Sequence, residues 1–96
     1  MNNIQAIEKA FKESKTFVNI TCFKESGYFS KIYVIDNNQK MVINKIKRLL
    51  NDKGLFDITV YILNTKNNTG LLFGSKKTEY KDVIDIKKVE SFLNNN

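Results

Sequence analysis

The chain has no histidine, no proline and no tryptophan, and among its 96 residues only one cysteine, four glycines and a single arginine. Each gap removes a class of answer. Without histidine, a serine or cysteine nucleophile lacks its usual base. One cysteine and no histidine cannot supply the nitrogen–sulfur ligand set of a zinc site. The lone Cys22 also forbids an internal disulfide, so nothing calls for an oxidising compartment. In phase with Val18 and Ile20, it reads as a small core residue. No stretch approaches the ~20 apolar residues of a membrane-spanning helix. The opening MNNIQAIEKAF carries acid and amide groups where a secretory signal is uninterruptedly apolar. No linker, repeat or low-complexity tract divides the chain, which leaves one domain over residues 1–96. A chain of this length buries one modest core, which argues against a deep substrate cavity. A cytoplasmic protein of a bacterium, a phage or a mobile element is the expectation, without cofactor, metal or membrane.

What the sequence has in quantity is lysine. Sixteen basic residues stand against ten acidic ones, for a net charge of +6, and all but Arg48 are lysines. Lysine offers point charges suited to phosphate attraction, whereas base-specific reading leans on the planar arginine fork. Residues 1–48 hold nine basic and four acidic residues (net +5), and residues 49–96 hold seven and six (net +1). An A/T-rich coding sequence also supplies Lys, Asn and Ile together, which gives part of the charge a second origin unrelated to function. An apolar fraction of 42% with 11% aromatics argues for a folded domain over a disordered one.

Hydrophobic periodicity centres the chain on residues 39–53, QKMVINKIKRLLNDK. Val42, Ile43, Ile46, Leu49 and Leu50 fall on one helix face. At ~100° per residue, Lys40, Asn44, Lys47, Arg48 and Asn51 gather opposite, with Lys45 at their edge. Asp36 or Asn37 is placed to cap this helix, and Gly54 to stop it in a left-handed conformation. Residues 3–13 predict a first helix with an Asn2–Gln5 capping box and a core stripe of Ile4, Ile7 and Phe11, widened by Ala6 and Ala10. Residues 16–24 alternate as a strand. Gly27 suits a three-residue hairpin turn into a second, antiparallel strand over 28–36. Strand 57–63 follows the central helix, and a right-handed crossover places it parallel to the second strand in one sheet. Leu71, Leu72 and Phe73 predict a short antiparallel return, and residues 80–84 an ambiguous further strand. Asp85 caps a last helix burying Ile86, Val89, Phe92 and Leu93. The expectation is an α+β domain of order α-β-β-α-β-β-(β)-α, with three helices on one face of a four- to five-stranded mixed sheet.

Three chemical patterns fall short. Glu79-Tyr80-Lys81 reads E-x-K, with Asp57 upstream, but in so lysine-rich a chain a magnesium nuclease needs a better-placed second carboxylate. Gly70 to Lys77 misses the phosphate-loop spacing and encloses an apolar run that reads as a strand. Tyr28 and Tyr33 point to opposite faces of one strand, so they cannot stack a base together. No catalytic set remains, and a non-enzymatic role follows. The leading expectation is a binding module that meets nucleic-acid backbone, or an acidic protein surface, through Lys40, Lys45, Lys47, Arg48 and Lys53, offset only by Asp52. The alternative is a small protein–protein inhibitor or adaptor of a phage or mobile-element type acting on a host macromolecule. A sheet with an unprotected last strand also leaves a homodimer open through edge pairing.

Overall fold

In the computed structural model, residues 1–75 and 84–95 are described. They form an α+β domain in the order α1 (Asn3–Lys12), β1 (Thr16–Lys24), β2 (Gly27–Val34), α2 (Gln39–Leu50), β3 (Leu55–Asn64), β4 (Thr69–Ser75) and α3 (Ile86–Asn94). The expected strand at 80–84 lies outside the described residues but for Ile84, which is a buried bend position.

The sheet is four-stranded in the order β2-β1-β3-β4, and every hydrogen-bonded pair is antiparallel. This corrects the mixed sheet. β2 and β3 do run in the same direction, but β1 lies between them and pairs with both, Ile20 standing opposite Lys31 on one side and Val60 on the other. The reason is in β1 itself. Thr16, Phe17 and Val18 are buried in succession, so β1 is the most enclosed strand, paired on both edges and in need of packed cover on both faces.

The same fact overturns the placement of all three helices on one face. Val18, Ile20 and Cys22 of β1 join Ile58, Val60 and Ile62 of β3 beneath α2 and α3, whose Val42, Ile46, Val89 and Leu93 complete the main core. On the opposite face, Phe17, Ile32, Val34 and Leu63 form a smaller core with Ala6, Ala10 and Ile7 of α1. Each fully buried aliphatic side chain of the main core contributes ~1.5–3 kcal/mol by leaving water, so packing rather than helix propensity holds α2 and α3 in place.

α1 carries the expected capping box, Asn2 and Gln5 each accepting the other's backbone N–H. Its rotation is not as expected. Ala6 and Ala10 face the sheet, while Ile4 is 68% exposed and Phe11 54% exposed. Two features set that rotation. Phe17, Ile32 and Leu63 already fill the space above the strands, so only alanine lets the helix approach. Asn3 then ties the helix to the sheet edge, its amide donating to Ser30 C=O at 2.9 Å and accepting from Ile32 N–H at 3.0 Å. A side chain thus takes the place of a neighbouring strand on the outer edge of β2.

Around α2 the turns also differ in detail. Neither Asp36 nor Asn37 caps the helix. Asn38 occupies the N-cap position, but its side chain bridges Asp36 N–H and Val34 C=O instead of the first turn. Asp36 is taken by Lys15, 3.0 Å away. Gly54 has no left-handed backbone; the helix ends at Leu50 with Asn51 as its C-cap, and Asp52 holds the following turn through Gly54 N–H. Gly27 does adopt the positive φ expected of it, +125°, directly after Glu25 and Ser26. Asp85 caps α3 through Lys88 N–H, also as expected.

Candidate functional site

α2 lies on the main core through Val42, Ile43, Ile46 and Leu49, and this leaves its other flank to solvent. Lys40, Lys47 and Arg48 are exposed there and border one open, shallow depression of about 940 Å³ along the helix. Four asparagines share that border: Asn37 and Asn38 before the helix, Asn44 within it and Asn51 at its end. Met41 completes it, and among the described residues no carboxylate lines it, although Glu90 stands at its edge beside Lys47. The grouping follows from helical geometry alone, since positions 40, 44, 47, 48 and 51 recur within one angular sector.

The five cations expected to act together divide. Lys40, Lys47 and Arg48 converge. Lys45 is half-buried on the side nearer the sheet, close enough to Cys22 for its charge to act on the thiol. Lys53 is exposed but follows the helix end and does not border the depression. The offsetting acid also differs. Asp52 pairs with Lys24 at the end of β1, at 2.8 Å, which raises the lysine above its ordinary pKa through a direct hydrogen bond. Lys47 is instead met by Glu90 of α3 at 3.3 Å. That contact spans 43 positions of sequence, and no local pattern announces it.

The surface can attract and orient an anion. It holds ammonium, guanidinium and amide donors, and the only thiol, Cys22, lies buried on the far side of α2, its pKa pushed up by that burial. Among the described residues, no three His, Cys, Asp or Glu side chains come together in a way that would hold a metal. Among the same residues no helix is long and apolar enough to cross a membrane.

A second surface escaped the sequence reading because it belongs to the sheet as a whole. α1 covers only one end of its face. Beyond it, Asn19, Thr21 and Phe23 of β1 stand beside Thr59 and Tyr61 of β3, and these beside Leu72 and Gly74 of β4. Phe23 stacks on Tyr28 with ring centroids 5.7 Å apart, and Tyr61 meets Phe17 edge-on at 6.1 Å. Tyr28 and Leu72 are each 69% exposed. Of the described strand residues on this face, only Asp57 carries a charge. The alternation that would have marked it is interrupted by polar Asn19, Thr21 and Thr59, so no single strand reads as two-sided.

Comparison with protein-family models, with curated proteins and with solved structures finds no match for this chain, and the reading of both surfaces therefore stands on their own geometry.

Proposed function

We propose that the protein is a small non-enzymatic binding module that contacts nucleic-acid backbone, without reading its sequence, through the solvent flank of α2. The observation that carries this reading is the convergence of Lys40, Lys47 and Arg48 with four asparagine amides along one helix flank, where among the described residues Glu90, paired with Lys47, is the acid that offsets them. Ammonium and guanidinium groups neutralise phosphates, and neutral amides donate to phosphate and sugar oxygens without selecting a base. A lone arginine supplies one bidentate fork, too few to specify a site. Lys45 and Lys53 flank the contact and add to the field around it rather than to its centre.

Three cations give a binding constant that falls with salt at a log–log slope of roughly −2 to −3, the smaller value applying if Glu90 keeps Lys47 occupied. The test is fluorescence anisotropy of a labelled mixed-sequence duplex titrated with protein from ~50 mM salt upward, a range over which such contacts weaken steeply. The double variant Lys40→Glu with Arg48→Glu is expected to lose most of the affinity, and Lys53→Glu little of it. Glu90→Gln, which releases Lys47, is expected to tighten binding and steepen the slope. Absence of binding at low salt, or binding that the double variant leaves intact, refutes the reading. An acidic protein surface would meet the same cations. Capture of a protein partner that survives nuclease treatment and is lost in the double variant would move the assignment to that class.

A further inference from the structure

The open face of the sheet has a use that the α2 surface does not account for, and we infer that it is where a second copy of this chain packs, sheet against sheet. The inference stands independently of the nucleic-acid reading, since it uses none of the same residues.

Charge decides which occupant fits. The chain carries +6, yet among the described strand residues of this face Asp57 is the only ionic group. A nucleic acid or an acidic protein would need cations there, and no strand residue on the face supplies one. Stacked bases would need free aromatic rings beside a positive groove, but Phe23 and Tyr28 are occupied with each other. A second copy needs neither. Two molecules of like charge approach with least repulsion through the surface where each has almost none. Packed this way, both α2 surfaces point outward on opposite sides, because α2 and the open face lie on opposite faces of one sheet.

The polar middle of the face does not oppose burial. Thr21 Oγ1 lies 2.9 Å from Asn19 Oδ1 and 3.2 Å from Ser30 Oγ, and Ser30 Oγ lies 3.3 Å from Asn19 Oδ1. The Thr21 and Ser30 hydroxyls thus find an acceptor within the face in Asn19 Oδ1, so covering them costs less than covering unpaired hydroxyls. Apolar material lies at both ends, Phe23 and Tyr28 at one and Tyr61 with Leu72 at the other. Two sheet faces pack about 10 Å apart. With strands ~4.8 Å apart and ~3.4 Å per residue, the uncovered area spans roughly 15 by 20 Å, or about 300 Å² per copy before side-chain relief. A dimer of that size belongs at the weak, reversible end of specific interfaces.

Sedimentation velocity of the full chain, from about 10 μM to about 1 mM, tests this across the range of weak association. A reversible monomer–dimer equilibrium is expected. Leu72→Lys is expected to weaken it at least tenfold, as removal of a central apolar anchor does. Tyr28→Lys, on a different strand, is a second probe at the opposite end of the face, and circular dichroism confirms that each variant is folded. Lys40→Glu leaves the equilibrium in place. A chain that stays monomeric throughout overturns the inference. So does a dimer that persists in both lysine variants, which would assign the contact to another surface such as the edge of β4.

Discussion

Lys15 shows at the scale of one residue how the chain holds its junctions. It sits in the turn between α1 and β1, and its ammonium lies 3.0 Å from Asp36 and 3.4 Å from Glu13. The Asp36 contact ties that turn to the one between β2 and α2. The hydrogen bond from Lys15, and then its charge, hold the Asp36 carboxyl below its ordinary pKa, while Lys15 is raised by the same bond. A carboxyl depressed in the folded state stabilises it at pH values above the unfolded pKa of ~3.9, and that contribution disappears as pH falls through the lowered folded value. Urea midpoints of the native chain and of Asp36→Asn should therefore differ by a constant amount between about pH 5 and pH 8 and converge below about pH 4. A gap that stays constant into acid would mean the pair contributes nothing through its charge. The lysine side gives the complementary limb: its share is complete below the unfolded lysine value of ~10.4 and is lost as pH rises past the raised folded one.

At the scale of elements, α1 is the decisive case. Its buried line is Ala6 and Ala10, steered by the Asn3 bonds to β2, while Ile4 and Phe11 stand outside. Ala10→Leu should cost ~1–3 kcal/mol in urea unfolding, because a packed interface has no room for extra methylenes. Ile4→Ser should fall within ~0.5 kcal/mol of the native chain, as surface changes do. The reverse order of effects would restore the Ile4–Ile7–Phe11 stripe as the buried face. Periodicity made much of the rest legible. β1, β4 and α3 alternate or repeat cleanly, with Val18, Ile20 and Cys22 on one side of β1 and Val89 and Leu93 inside α3. In α1 the expected stripe holds at Ala6, Ala10 and Ile7 but not at Ile4 and Phe11, because the space over Phe17 and Leu63 favours the small side chains as its centre. The centre of the α2 surface was legible for the same helical reason that Ile46 is buried. The loss of Lys53 from it follows from the helix ending at Leu50, before the expected stop at Gly54. The pairing of Lys47 with Glu90 depends on how α2 and α3 lie together, which local spacing does not encode.

Among the described residues α2 and α3 lie on one face of the sheet, and on the other α1 covers one end and leaves strand residues of little charge beyond it, with β1 pairing with both β2 and β3. Protection from hydrogen exchange should follow that plan. Amides of β1 and the facing part of β3, such as Ile20 and Val60, should exchange only through global unfolding, whereas those of α1 should open at lower cost above their smaller core. Equal protection of α1 and β1 would show the two cores to be one cooperative unit. The central place of β1 bears also on how the protein is made. β1 ends at Lys24, but its inner partner is complete only at Asn64. At ~5–20 residues per second on the ribosome, those forty residues take roughly 2–8 s to appear. Once β2 is complete at Val34, the nascent chain can form the β1–β2 hairpin, whose outer edge Asn3 can close, while the inner edge of β1 waits for β3. The vulnerable stage in the life of this protein is its synthesis, when an apolar strand edge is presented to whatever chaperone or neighbouring chain arrives before β3.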